Sequence, residues 1–148
     1  MEKVEIISAC RALLQSRLDE LSEGIAELDL AMESETKSSA GDKHETARAR
    51  LQTEHENLQR QRREIQVQFQ ELSEPSFALP RQTVLNGALV QTSIGNFLIG
   101  PPVGRLKVGA AELVVVSLRS PLGQQLHGKR AGACFELNGK EHQIHSVS

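Results

Sequence analysis

The residues best placed to do chemistry are two carboxylates, Asp42 and Glu45, within Ser39-Ala-Gly41-Asp42-Lys43-His44-Glu45. On a helix, a separation of three puts both groups on one face. Such a pair could help hold a cation. It could equally serve the helix itself, because Asp at the N-cap and Glu three residues on form an acidic capping box for unpaired backbone N–H groups. The two roles are compatible, since a capping carboxylate keeps free lone pairs. By themselves the two groups fall short of a Mg²⁺ site, which takes about six oxygens in octahedral order. They could instead complete a site that another macromolecule half-supplies.

Other groupings carry less. His142 and His145 lie three apart in a strand-like run, so they point to opposite faces and read as ordinary edge or surface histidines. Cys134 has no second cysteine at metal-site spacing. Gly104-Arg-Leu-Lys-Val-Gly109 has the glycine spacing of a phosphate loop but continues with Ala110-Ala111 where Lys-Ser/Thr is required. Arg48, Arg50, Arg60, Arg62 and Arg63 form a locally basic run, which fits a solvated, salt-paired helix face or a docking surface for an acidic partner. No Ser-His-Asp or Cys-His grouping has support in the sequence.

The carboxylates interrupt two heptad-patterned segments. Upstream, Ile7, Leu14, Leu18, Leu21, Ile25, Leu28 and Met32 alternate mostly by fours and threes; downstream, Leu51, Leu58, Ile65 and Leu72 recur every seventh residue. This pattern predicts an antiparallel coiled-coil hairpin over residues 1–74, its tip near 38–45. The arms are expected over about 2–35 and about 42–72. The second seam is thin, its alternate positions being Glu54 or His55, Gln61 or Arg62, and Gln68 or Phe69. Pro75 and Pro80 make residues 75–80 a linker. Beyond it, short apolar runs alternate with glycine-rich turns, and Asn138-Gly139 is a favoured two-residue hairpin turn. Residues 81–148 are expected to form a small, mainly antiparallel sheet with a short helix near Leu122–His127, giving an α+β fold.

Composition agrees with an extended arm. Of 148 residues 39% are hydrophobic, with four Phe and no Trp or Tyr, so much of the length lies outside any compact core. A net charge of -2 argues against a general nucleic-acid coat. No apolar run approaches the ~20 residues of a membrane span. The acidic N-terminus differs from the basic start of a signal peptide. Cys10 and Cys134 show no pairing pattern. A cytoplasmic protein is expected.

Ser120-Pro121-Leu122-Gly123-Gln-Gln-Leu126-His-Gly128-Lys129-Arg-Ala-Gly132 resembles the C-terminal signature of the bacterial Gre transcript-cleavage factors, Ser-Pro-x-Gly-x-x-Leu-x-Gly-Lys-x-x-Gly. Gly41-Asp42-x-x-Glu45 resembles the Gre hairpin tip, and the two matches lie in family order across essentially the whole chain. The resemblance implies an FKBP-like C-terminal domain that docks at the mouth of the RNA polymerase secondary channel, with Ser120, Pro121, Leu122 and Gly123 at the partner surface. It implies a hairpin reaching the active centre and the 3′ end of the nascent RNA, where Asp42 and Glu45 share a Mg²⁺ with the polymerase. The protein would then be a transcription elongation factor, a monomer and not an enzyme by itself. The chain departs from the family pattern at Lys43-His44 between the acids, at Thr46-Ala47 after them, and at Ala133 in place of Asp. A channel-binding regulator without cleavage activity and a coiled-coil dimerisation module are the alternatives. A prolyl isomerase is a poor fit, because the C-terminal region offers only Phe97 and Phe135 to line an aromatic pocket.

Overall fold

The computed structural model describes the backbone of residues 2–37 and 41–148, and side chains of 2–35 and 45–148. The expected turn at 38–40 therefore lies outside the described residues, as does the side chain of Asp42. Two long helices come first, α1 (Lys3–Lys37) and α2 (Gly41–Ser73). A 3₁₀ turn (Pro75–Ala78) follows, then strands β1 (Leu89–Thr92), β2 (Gly95–Ile99), β3 (Gly104–Val108) and β4 (Ala111–Val116). A short helix α3 (Pro121–Leu126) and strands β5 (Cys134–Leu137) and β6 (Lys140–Val147) complete an α+β chain. No helix among the described residues is long and apolar enough to cross a membrane.

The chain forms two compact units, residues 13–69 and residues 1–12 with 70–148. In the first, the helices run antiparallel. Asp29 pairs with His55 (2.9 Å), and a Cβ on Gly24 would meet Leu58 Cδ1 at 3.2 Å, so positions rise along one helix as they fall along the other. On α2 the less exposed positions include Leu51, His55, Leu58, Arg62, Ile65, Phe69 and Leu72, which follow a four-three alternation, together with neighbours such as Gln59, Gln68 and Glu71. Of the alternatives left open by the heptads, His55 and Arg62 are less exposed than Glu54 and Gln61, while Gln68 and Phe69 are both half-buried. Up to Phe69 none of these positions is fully buried, as expected for a two-helix seam with water on both flanks, whereas Leu72, which belongs to the second unit, is buried. The Asp29–His55 contact joins a largely exposed carboxylate to a mostly covered ring, and such pairs contribute at most about 1 kcal/mol.

The second unit holds a six-stranded sheet in the order β3-β4-β2-β1-β6-β5. Every pairing is antiparallel except β2–β4, where Phe97, Leu98 and Ile99 lie beside Val114, Val115 and Val116. Asn138 (φ 53) and Gly139 (φ 76) take the left-handed conformation at both central positions, as the tight β5–β6 hairpin demands. Val84, Ala88, Val90, Ile99, Leu126, Phe135 and Ile144 form one buried cluster. Phe77 is also buried, packed so closely on Gly100 that a Cβ there would lie 2.7 Å from its ring.

Near the start of α1, Ile6 and Cys10 are fully buried. Burial pushes the Cys10 thiol from 9.0 up to about 11, because the thiolate is poorly solvated there. The raised value sets a sign: the stabilising effect is fully present below the unfolded-state pKa and is lost as pH rises through the folded one. Urea unfolding should therefore show a decline of roughly 2–3 kcal/mol between about pH 9 and pH 11. A Cys10→Ala variant, weaker overall, should lose that part of the slope. An unchanged slope would place the titration elsewhere.

Candidate functional site

The signature segment is built around Gly123. A Cβ at this position would lie 2.0 Å from the Ser117 carbonyl oxygen and 2.8 Å from the Leu118 Cα, both backbone atoms. Only glycine lets α3 cross the end of β4 at this distance. Ser120 fixes the entry: its Oγ accepts from Gly123 N (3.0 Å) and donates to Ser117 O (2.7 Å). Pro121 occupies the first turn, where a missing N–H costs nothing. Leu126 is fully buried in the core cluster, with Leu122 packed against it. The exit is a left-handed Gly128 (φ 78), and Gly128 N donates to Val84 O (2.9 Å).

These contacts divide the four candidate partner residues. Gly123 is buried, Leu122 faces the core and the Ser120 hydroxyl is engaged in the cap, whereas Pro121 is exposed. Arg119, which sequence reasoning did not single out, is exposed beside it. Its backbone N–H donates to Ser117 Oγ (3.1 Å). A partner arriving here meets a proline ring and a guanidinium on a rigid turn. The signal for Arg119 was available: a residue between a strand end and a helix cap stands on the surface.

Both carboxylate positions belong to α2, and Glu45 is exposed. Asp42, a helical position three residues earlier, has its side chain outside the described residues. Two carboxylates offer Mg²⁺ part of the six-oxygen shell it requires, so the donor set fits a shared site and not a self-contained one. Among the described residues no group of three or more His, Cys, Asp or Glu could hold a metal ion. The histidines behave as ordinary strand residues: His142 lies opposite Phe135, ring centroids 5.5 Å apart, while His145 is exposed. Gly104–Val108 is strand β3, so the glycines that mimic a phosphate loop bracket an extended segment. The exposed Cys134 thiol is raised by its hydrogen bond to Glu141.

No family model and no curated protein matches this chain. Among solved structures, the chain is similar to the transcription factor Gfh1 at 15% identity, over 94% of this chain and 93% of that one, with a TM-score of 0.38. At this distance the functional reading depends on the chain's own residues.

Proposed function

We propose that this protein is a Gre-like factor that binds RNA polymerase, inserts its helical hairpin into the secondary channel and promotes cleavage of backtracked RNA. The observation that carries this reading is the way the Ser-Pro-x-Gly segment is used. Ser120 caps, Pro121 opens the helix, Gly123 permits the crossing, Leu126 plugs into the core and Gly128 ends the turn. A sequence match in which each specified residue has a physical task is stronger than spacing alone. Gly41-Asp42-x-x-Glu45 supplies the second half, at the start of the second of two antiparallel helices.

On this reading the exposed Pro121 and Arg119 dock the C-terminal domain. Asp42 and Glu45 add ligands to a metal whose other ligands belong to the polymerase. Such an ion, when bound, would orient an attacking water and stabilise charge on the scissile phosphate. The factor is then a monomeric accessory that leaves the hydrolytic centre to its partner. A second reading, channel occupancy without cleavage, is favoured by Lys43, whose positive charge between the acids opposes cation capture, and by the departure from the family tip at Lys43-His44.

The test is a stalled, backtracked elongation complex with the cognate polymerase, followed for short 3′ RNA fragments as the factor is added. Release of fragments well above the polymerase's own rate is expected. Binding without fragments, measured by displacement of a channel-binding factor, would replace cleavage by regulation. Neither effect would defeat the polymerase reading.

A further inference from the structure

We infer that the open edge of β3 is a docking site for an extended, acidic segment of a partner protein, which would add a seventh strand to the sheet. This inference is independent of the polymerase reading. β3 ends the strand order and pairs only with β4. The β3–β4 hairpin closes through Gly109 and Ala110, with Val108 opposite Ala111. In a two-residue hairpin the residues flanking the turn are the hydrogen-bonded pair, and bonding alternates from there. Gly104, Leu106 and Val108 therefore bond to β4, while Arg105 and Lys107 turn their N–H and C=O groups toward the open side.

The side chains say which strand fits. Arg105 lies beside Val114 and Lys107 beside Glu112, while Phe97 flanks Val114 on the other side, so these residues share one face. Together with Ile94 they line an open cavity of about 360 Å³ next to the edge. Ile94 is 40% exposed, an uncovered apolar side chain at the cavity wall. Arg105 is exposed and, among the described residues, has no ion-pair partner; Lys107 reaches only Glu112, at 4.0 Å between largely exposed groups. An incoming strand with carboxylates opposite Arg105 and Lys107 and an apolar side chain over the cavity would satisfy backbone, charge and groove together.

The same charges disfavour a second copy on this edge. Antiparallel self-pairing about Leu106 would set Arg105 against Lys107 of the other copy, and like charges directly opposite destabilise a sheet. Selection for an acidic strand follows from that exclusion.

The probe is a capped peptide alternating glutamate with valine, compared with its lysine counterpart, added to the full-length protein labelled with ¹⁵N. The glutamate peptide is expected to shift the amides of Arg105 and Lys107 and slow their hydrogen exchange, with little response to the lysine peptide. Arg105→Glu, at an exposed position, should weaken the glutamate peptide about ten-fold and improve binding of the lysine peptide. Equal binding of both peptides, shifts confined to another surface, or no binding would overturn the inference and leave the two cations as guards of a bare edge. Self-association of the free protein that protects the Arg105 and Lys107 amides from exchange, and that strengthens in Arg105→Glu, would overturn it in favour of a second copy.

Discussion

Gly123→Ala should be among the most damaging single substitutions in this chain, costing about 3 kcal/mol or more of stability. The added methyl would meet the Ser117 carbonyl oxygen at 2.0 Å and the Leu118 Cα at 2.8 Å. Neither is the end of a flexible side chain, so relief requires α3 to move off the strand end. That movement would break the Ser120 cap on Gly123 N and pull Leu126 from the core cluster. Gly128→Ala provides the contrast. Gly128 is left-handed (φ 78) but nothing lies within 4 Å of an added Cβ. Its cost should be the conformational one alone, about 1–2 kcal/mol. Urea unfolding of the two variants separates crowding from conformation. Equal losses would mean that α3 yields easily to the added methyl, so that the close approach is not what demands glycine at 123.

The contrast also shows where the sequence was legible. The Ser-Pro-x-Gly segment and Asn138-Gly139 could be located in advance because their conformations demand particular residues. The long helices followed from the heptads. β3 was missed as a strand because Gly-Arg-Leu-Lys-Val offers one buried residue, Leu106, between two cations. An edge strand exposed on one side has no apolar run to announce it. Gly95-Asn96 has the residue types of a turn yet opens β2; the chain reverses at Ser93-Ile94, where Thr92 Oγ1 donates to Gly95 O and accepts from Ile94 N.

On α2 the sequence left three seam positions open, and packing covers His55 and Arg62 at two of them and both Gln68 and Phe69 at the third. Long polar side chains can lay their apolar stems along a seam, which a binary reading of hydrophobicity overlooks. Ile6 and Cys10 were not in the predicted stripe for a related reason. A cysteine counts weakly in a heptad although it buries as readily as valine. At the candidate site, spacing put Asp42 and Glu45 on one face of a helix, while the division of the signature segment into exposed Pro121 and inward Leu122 needed the packing.

On the proposed function, Asp42→Ala/Glu45→Ala should reduce stimulated RNA cleavage roughly a hundred-fold or more while leaving polymerase binding nearly unchanged. Removing both donors withdraws this chain's contribution to a shared metal site, and metal stabilisation of the transition state is worth several kcal/mol. Glu45 is exposed, so its truncation removes no packing. The partner experiment is Pro121→Glu. Pro121 is exposed in the first turn of α3, where a carboxylate suits the helix dipole, so the fold should survive. That variant should need a higher concentration for half-maximal cleavage yet reach the wild-type rate at saturation. The tip variant should show the reverse: normal half-saturation and a depressed plateau. Such a split assigns delivery to the C-terminal domain and chemistry to the tip. If the tip variant instead failed to bind, or if both variants shifted the same parameter, Asp42 and Glu45 would be supports for the helix and not donors to a metal.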